Sequence, residues 1–151
     1  MKLDIFTDGA CSGNPGPAGI GVVIKCDGKV IKEISQPIGN GTNNIAEYTA
    51  LIYALKEALV MKAVQVDVMS DSELMCMQVA GVYKVKHANI KPLFTEVKNL
   101  SMSFKQFRLM HIPRDKNAQA DRLSRQAVVK AGQGGRPNAA GVGEESPSSK
   151  G

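Results

Sequence analysis

The first forty positions contain three short runs rich in hydrophobic residues, each bounded by turn-forming residues. These runs predict β-strands at residues 2–8, 19–26 and 29–36. Asp27-Gly28, between the second and third runs, is a typical two-residue hairpin turn. The three strands are therefore predicted to follow one another as a meander.

Helical spacing replaces this pattern at residue 42. Gly39-Asn40-Gly41 breaks the chain after the third strand, and the cluster Thr42-Asn43-Asn44 is typical of a helix N-cap. Beyond this cluster, hydrophobic residues recur every three or four positions, at Ile45, Tyr48, Leu51, Ile52, Leu55 and Leu59. This spacing predicts an amphipathic helix of about 17 residues.

Strands and helices alternate in the next part of the chain. Ser70 and Glu73 form a capping-box pattern that predicts the start of a short helix, and Asn117 is predicted to cap the last helix. The further predicted elements are strands at 64–70 and 104–112 and helices ending near 79, spanning 90–101 and following 117. A meander followed by strand–helix units implies the α/β class, with a five-stranded mixed sheet and helices on both faces.

The composition changes near residue 132. Residues 1–131 have the length and hydrophobic content of one domain, whereas residues 132–151 consist mainly of Gly, Pro, Ser and other small residues. We therefore expect a folded domain at 1–131 and a disordered Gly/Ser/Pro-rich tail at 132–151.

The charge and the cysteines narrow the classes of function. The net charge of +5 favours an acidic partner such as a nucleic acid. The three cysteines, Cys11, Cys26 and Cys76, are odd in number and lack the spacing of metal ligands. No hydrophobic run approaches the ~18 residues that span a bilayer, and we find no signal-peptide pattern. We therefore expect a reduced cytoplasmic protein without a membrane partner.

Four acidic residues lie where predicted elements end or begin. Asp8 ends the first strand, Asp71 follows the fourth, and Glu47 and Asp121 lie near the starts of helices. Singly, turn formation or the helix dipole explains each of them. Together at one sheet edge they would repel one another unless cations were present, and hard oxygen ligands suit Mg²⁺ or Mn²⁺. Two such ions about 4 Å apart are a known arrangement for phosphodiester cleavage.

Four short motifs carry a resemblance to a known family. They are DGACSGNPG at 8–16, TNNIAE at 42–47, SDS at 70–72 and NAQAD at 117–121. In this order they resemble the type 1 ribonuclease H family, in its compact bacterial and archaeal-like branch, over about residues 1–130. The resemblance implies a ribonuclease H-like fold and an endonuclease that cuts the RNA strand of RNA–DNA hybrids, leaving 5′-phosphate and 3′-hydroxyl ends.

The resemblance also implies roles for individual residues. It assigns two Mg²⁺ ions, with Mn²⁺ as the alternative, to the catalytic acids Asp8, Glu47, Asp71 and Asp121. It assigns contacts with the hybrid to Cys11, Asn14, Asn43 and Asn44. Gly13 is expected to add a loop amide, since amides can read the 2′-hydroxyl that distinguishes RNA from DNA. Arg114 is the candidate for a phosphate contact, and the compact relatives imply a monomer.

The sequence departs from the family pattern at several positions. Glu73 stands where many relatives have glutamine, and its role is left open. His111 is predicted to be structural rather than a proton carrier. A short basic connector at 81–92 replaces a long basic protrusion, and its Lys84, Lys86 and Lys91 are expected to follow the DNA strand.

Two other functions remain alternatives. A non-catalytic RNA- or hybrid-binding module would need the basic surface but not the four acids. A DNA resolvase-like nuclease of the same fold would not need the turn at Gly13–Gly16 that is suited to a 2′-hydroxyl.

Overall fold

The computed structural model describes residues 1–134. The strands are β1 (Lys2–Cys11), β2 (Gly16–Cys26), β3 (Lys29–Gly41), β4 (Gln65–Ser70) and β5 (Gln106–His111). The helices are α1 (Asn43–Val60), α2 (Glu73–Val79), α3 (Lys91–Ser101) and α4 (Ala118–Gly134), with a 3₁₀ turn at Arg114–Lys116.

The five strands form one mixed sheet in the order β3-β2-β1-β4-β5. β2 runs antiparallel to both β1 and β3, whereas β4 runs parallel to both β1 and β5. The predicted five-stranded mixed sheet is therefore confirmed. The hairpin between β2 and β3 is confirmed as well: Asp27 and Gly28 have φ angles of 52° and 78°, as a type I′ turn requires.

Helices cover both faces of the sheet, as predicted. Val22 of β2 points into the main core with α1, whereas the next residue, Val23, packs with Leu123 of α4. α4 lies close to β2 because Gly21 has no side chain. A Cβ at Gly21 would lie 2.2 Å from the carbonyl oxygen of Ala120. Among residues 1–134, no helix has the length and hydrophobicity needed to cross a membrane.

The first hairpin differs from the prediction. β1 continues to Cys11 and β2 begins at Gly16, so that the connecting loop is residues 12–15 only. The strands extend because residues 8–11 pair with residues 18–21 of β2. Asp8 therefore lies inside a strand, although it is the first residue of β1 beyond the pairing with β4.

One predicted helix cap is wrong, and a second lacks its side-chain hydrogen bond. α2 is capped by Ser72, whose Oγ accepts a hydrogen bond from the Met75 amide at 3.2 Å, whereas Ser70 Oγ accepts from the Ser72 amide. Asn117 precedes α4, but its buried Oδ1 has no partner among the described residues. Its Nδ2 instead donates to the carbonyl oxygen of Thr7 at 2.8 Å, which ties the start of α4 to β1.

The C-terminal helix reaches Gly134, three residues beyond the predicted domain boundary at 131. The boundary itself stays a prediction. Most of the predicted tail, residues 135–151, lies outside the described residues.

Candidate active site

Asp8 and Asp71 are neighbours because of the parallel register of β1 and β4. The last pair in that register is Thr7 with Ser70, and each acid is the next residue of its chain segment. The two carboxylates therefore lie side by side at one edge of the sheet. Their position outside the carboxyl end of β4 is where open α/β sheets bind ligands.

Glu47 reaches the same point from α1, where it lies in the second turn and is buried. The backbone amide of Gly9 donates a hydrogen bond to Glu47 Oε1 at 3.1 Å. α1 passes so close to β1 that a Cβ at Gly9 would lie 2.3 Å from the carbonyl carbon of Ala46. Glycine at position 9 is thus a requirement of this helix–strand approach.

Asp8, Glu47 and Asp71 form a compact cluster. Each offers one carboxylate oxygen, and the three oxygens lie within 4.8 Å of one another. Carboxylate oxygens at this separation are the hard ligands that divalent cations such as Mg²⁺ and Mn²⁺ prefer. The cluster has the composition and the size of a divalent metal site.

The cluster opposes its own ionisation. Burial, followed by the charge of Asp71, raises the pKa of Asp8 to about 7. Burial, followed by the charge of Asp8, raises the pKa of Glu47 well above its ordinary value. Either a proton or a cation is therefore needed to relieve the repulsion, which favours cation binding at neutral pH.

Asp121 lies in the first turn of α4 and adjoins Asp8, but it is not one of the three clustered acids. Its Oδ2 accepts a hydrogen bond from Nε of Arg125 at 3.1 Å. This bond to Arg125 is the main cause of the lowered pKa of Asp121. Sequence reasoning placed all four acids at this edge, and Arg125 was not foreseen.

Ser124 and Asn117 also lie beside the acids; Ser124 was not singled out from the sequence, and Asn117 was predicted only as a helix cap. Ser124 Oγ donates to Asp8 Oδ2 at 2.9 Å, and Asn117 Nδ2 lies 3.5 Å from Asp71 Oδ2. Ser124 is four residues after Ala120 and therefore lies on the hydrophobic stripe of α4. A polar residue at a buried position of an amphipathic helix is the signal that could have identified it.

The predicted substrate-contact residues converge beside the acids. Asn14 Oδ1 accepts a hydrogen bond from the backbone amide of Asn43 at 3.0 Å. This bond holds the loop at residues 12–15 against the first turn of α1. Cys11 Sγ lies 3.2 Å from Asn43 Oδ1 and 2.6 Å from the Gly13 carbonyl oxygen. Gly13 has a φ of 80°, which permits this tight loop. Asn44 adjoins Asn43, and its buried Oδ1 has no partner within residues 1–134.

These residues line one open cavity of about 1130 Å³. All four acids contribute to its wall, together with Cys11, Asn14, Asn43 and Asn44. Arg114 lines it from the 3₁₀ turn, and Glu73 lines it from α2. His87 of the basic connector also faces the cavity, whereas His111 ends β5 opposite Ser70. The cavity therefore brings acids, amides and the basic residues Arg114 and Arg125 onto one concave surface.

Comparison with known proteins identifies the family to which this chain belongs. The sequence pattern of the reverse transcriptase-like family matches residues 6–127. The bifunctional protein Rv2228c of Mycobacterium tuberculosis is 38% identical over 100% of this chain, and the match covers 43% of that protein. The chain thus spans less than half the length of this mycobacterial relative.

Solved structures give the same assignment. RNase H1 of the halophilic archaeon Halobacterium salinarum is 33% identical, with a TM-score of 0.84 over 87% of this chain and 100% of that chain. LC11-RNase H1, solved in complex with an RNA/DNA hybrid, is 46% identical, with a TM-score of 0.81 over 85% of this chain and 98% of that chain. The protein therefore belongs to the type 1 ribonuclease H family, within the reverse transcriptase-like group.

Proposed function

We propose that this protein is an endoribonuclease that hydrolyses the RNA strand of RNA–DNA hybrids. The observation that carries the proposal is the cluster of Asp8, Glu47 and Asp71 in the wall of an open cavity. The family of the chain, and a hybrid-bound relative with nearly half of its residues identical, support the choice of substrate. The expected products carry 5′-phosphate and 3′-hydroxyl ends.

The cofactor in this proposal is Mg²⁺, in a pair of ions held by the three clustered acids and Asp121. The fit rests on the chemistry of the donors, which are all carboxylate oxygens, and on the repulsion that raises the pKa of Asp8 and Glu47. When bound, such a pair of ions supplies activation of the attacking water and charge stabilisation at the leaving 3′ oxygen.

The backbone of the chain fixes the positions of the acids that would hold the ions. β1 and β4 fix Asp8 and Asp71 through their backbone register, and the Gly9 amide fixes one oxygen of Glu47. Arg125 binds Oδ2 of Asp121, and the Asp121 carboxylate also adjoins Asp8, so we assign the ligand role to its other oxygen.

Recognition of RNA is assigned to the amide-rich wall beside the acids. Asn14, Asn43 and Asn44 present side-chain amides there, and Cys11 and Gly13 shape the loop that carries Asn14. Amides can donate to or accept from a 2′-hydroxyl, which DNA lacks. Arg114 is proposed to contact a phosphate. One chain supplies all of these groups, so we propose a monomeric enzyme.

A panel of labelled duplexes tests the function. The purified protein is incubated with Mg²⁺ and an RNA–DNA hybrid, an RNA duplex, a DNA duplex, or a DNA duplex containing one ribonucleotide. We expect cleavage of the RNA strand in the hybrid and an intact DNA duplex. Binding of the hybrid without cleavage would indicate a binding module instead, and cleavage of the DNA duplex would indicate a resolvase-like nuclease.

A further inference from the structure

Ser124 of α4 joins two of the four acids through one hydroxyl group. Its side chain is fully buried. Its Oγ lies 2.9 Å from Oδ2 of Asp8 and 2.8 Å from the backbone carbonyl oxygen of Asp121. The first acid and the helix turn that carries the fourth acid therefore meet at a single atom.

The hydroxyl has one hydrogen and faces two acceptors, so it can donate to only one of them at a time. A hydrogen bond to an ionised carboxylate is about twice as strong as a bond between neutral groups. The backbone carbonyl of Asp121 lies within α4, where it accepts the helical hydrogen bond from the backbone amide four residues later. The geometry therefore favours donation to Asp8 whenever Asp8 carries its charge.

The position of Ser124 is held on both sides. α4 packs directly on β2 at Gly21, where an added Cβ would lie 2.7 Å from the Ser124 amide nitrogen. Asp8 pairs with Gly21 across the β1–β2 ladder, so the helix, the glycine and the acid are in register. The strand pairing fixes the backbone position of Asp8, and the Ser124 hydroxyl group fixes the direction in which the Asp8 carboxylate points.

We propose that Ser124 is a positioning residue for the metal site: it holds Oδ2 of Asp8 and thereby directs the other carboxylate oxygen toward Glu47 and Asp71. This inference rests on the proposed function of the acid cluster. It goes beyond that function by assigning a role to a buried residue of α4 that contacts an acid without lining the cavity.

The chain offers a matched control for this hydroxyl. Ser101 ends α3 and donates to the carbonyl of Lys98, three residues earlier, at 2.7 Å. Ser124 has the same relation to Asp121, at 2.8 Å. Ser124→Ala and Ser101→Ala therefore each remove a hydroxyl group that lies beside the carbonyl three residues earlier in a helix, but only the first removes a partner of an active-site acid. Ser124→Cys keeps a donor at this position, although the thiol is a weaker donor and somewhat larger, and serves as the second variant.

The test is a calorimetric Mg²⁺ titration of the free protein, without hybrid. We expect Ser124→Ala to lower Mg²⁺ affinity by about 10-fold or more, as loss of a partner to a metal ligand typically does. Ser124→Cys should fall between Ala and wild type, and Ser101→Ala should match wild type. The melting temperature of the metal-free variants should show that the fold is retained.

Kinetics provide a second readout. At saturating Mg²⁺ the KM for the hybrid should be unchanged in Ser124→Ala, whereas the Mg²⁺ concentration for half-maximal cleavage should rise. Unchanged Mg²⁺ affinity in Ser124→Ala, or an equal loss in Ser101→Ala, would overturn the inference. The titration needs no cleavage, so it measures the role of Ser124 independently of the proposed function. A wild-type protein that binds Mg²⁺ but leaves hybrids intact would contradict the proposed function alone.

Discussion

The backbone amide of Gly9 donates to Oε1 of Glu47 at 3.1 Å, which couples β1 to the second turn of α1. A methyl group at position 9 would lie 2.3 Å from the carbonyl carbon of Ala46 and 2.5 Å from the Glu47 amide nitrogen. Gly9→Ala should therefore push α1 away from the sheet. We expect a loss of about 1–3 kcal/mol in the free energy of unfolding, measured with urea, together with a large loss of cleavage.

Gly132→Ala is the matched control for this prediction. Gly132 lies in α4, and an added Cβ there would meet no atom within 4 Å. Alanine at a helix position favours folding by up to about 1 kcal/mol over glycine, so the control should be neutral or stabilising. If Gly9→Ala behaved like Gly132→Ala, the close packing of α1 on β1 would be wrong.

The stability of the metal-free protein should fall as the pH rises from about 4 to about 7. The pKa of Asp8 is raised from 3.8 to about 7 by burial and by the charge of Asp71, so the folded state holds this proton more tightly than the unfolded state. The contribution to stability is complete below pH 4 and is lost as Asp8 ionises. Glu47, whose pKa is raised for the same reasons, acts in the same direction.

Urea unfolding in a chelator between pH 5 and pH 8 measures this effect. Asp8→Asn should flatten the dependence on pH and should be more stable than wild type at pH 8. Mg²⁺ should restore stability to the wild type at pH 8 more than at pH 5, since metal binding requires ionised carboxylates. A metal-free wild type that is most stable at pH 8 would contradict the self-repelling cluster.

Neutralising Lys84 and Lys86 together should weaken hybrid binding. Both side chains are exposed on the connector that contributes His87 to the cavity wall. Their replacement by glutamine should raise the KM and reduce the salt slope of binding by one to two units, at about 0.9 per phosphate contact. Turnover at saturating substrate should change little, because these contacts act equally in the ground and transition states.

Lys29 and Lys105 provide the control pair for the connector lysines. Lys29 follows the β2–β3 hairpin turn and Lys105 precedes β5, at the end of the sheet opposite the acids. Their double replacement removes the same net charge from a distant surface. An equal change of salt slope in both double variants would mean that total charge, and not the connector, determines the affinity.

Glu73→Gln should improve binding of the hybrid. Glu73 lines the cavity from the first turn of α2, where its charge adds to that of the four acids and repels the phosphates. Glutamine keeps the size and removes the charge. We expect a lower KM at low salt and a smaller difference at high salt, where the charge is screened. A raised KM would instead show that the carboxylate makes a needed contact.

Much of the site could be predicted because it depends on backbone topology. The order of strands and helices predicted a mixed sheet, and the rule for ligand sites in open sheets placed Asp8 and Asp71 together on the condition that β1 and β4 are parallel neighbours, as they are. The motif around Glu47 added the helix that completes the cluster. These relations follow from which elements pair, and the sequence pattern carries that information.

Side-chain partners could not be predicted in the same way. Ser124 binds Asp8 because of how α4 is rotated over β2, whereas the pair of Asp121 and Arg125 lies four residues apart on one helix, a spacing that could have been found in the sequence. That rotation depends on the close packing at Gly21: a glycine inside a strand signals a close approach, but not which helix residue makes it. Asn117 shows the same limit: its side chain bonds β1, 110 residues away, where sequence reasoning had assigned a local cap.

Turnover of the hybrid by Asp8→Asn and Asp71→Asn at saturating Mg²⁺ tests the central claim most directly. Both changes keep the size of the side chain and remove one charge from the cluster. Asp115→Asn, in the exposed 3₁₀ turn, is the control. We predict a loss of at least about 10–100-fold in kcat for both cluster variants, with the fold retained and the control unchanged. Turnover close to that of the wild type in either cluster variant would contradict the assignment of hydrolysis to these acids.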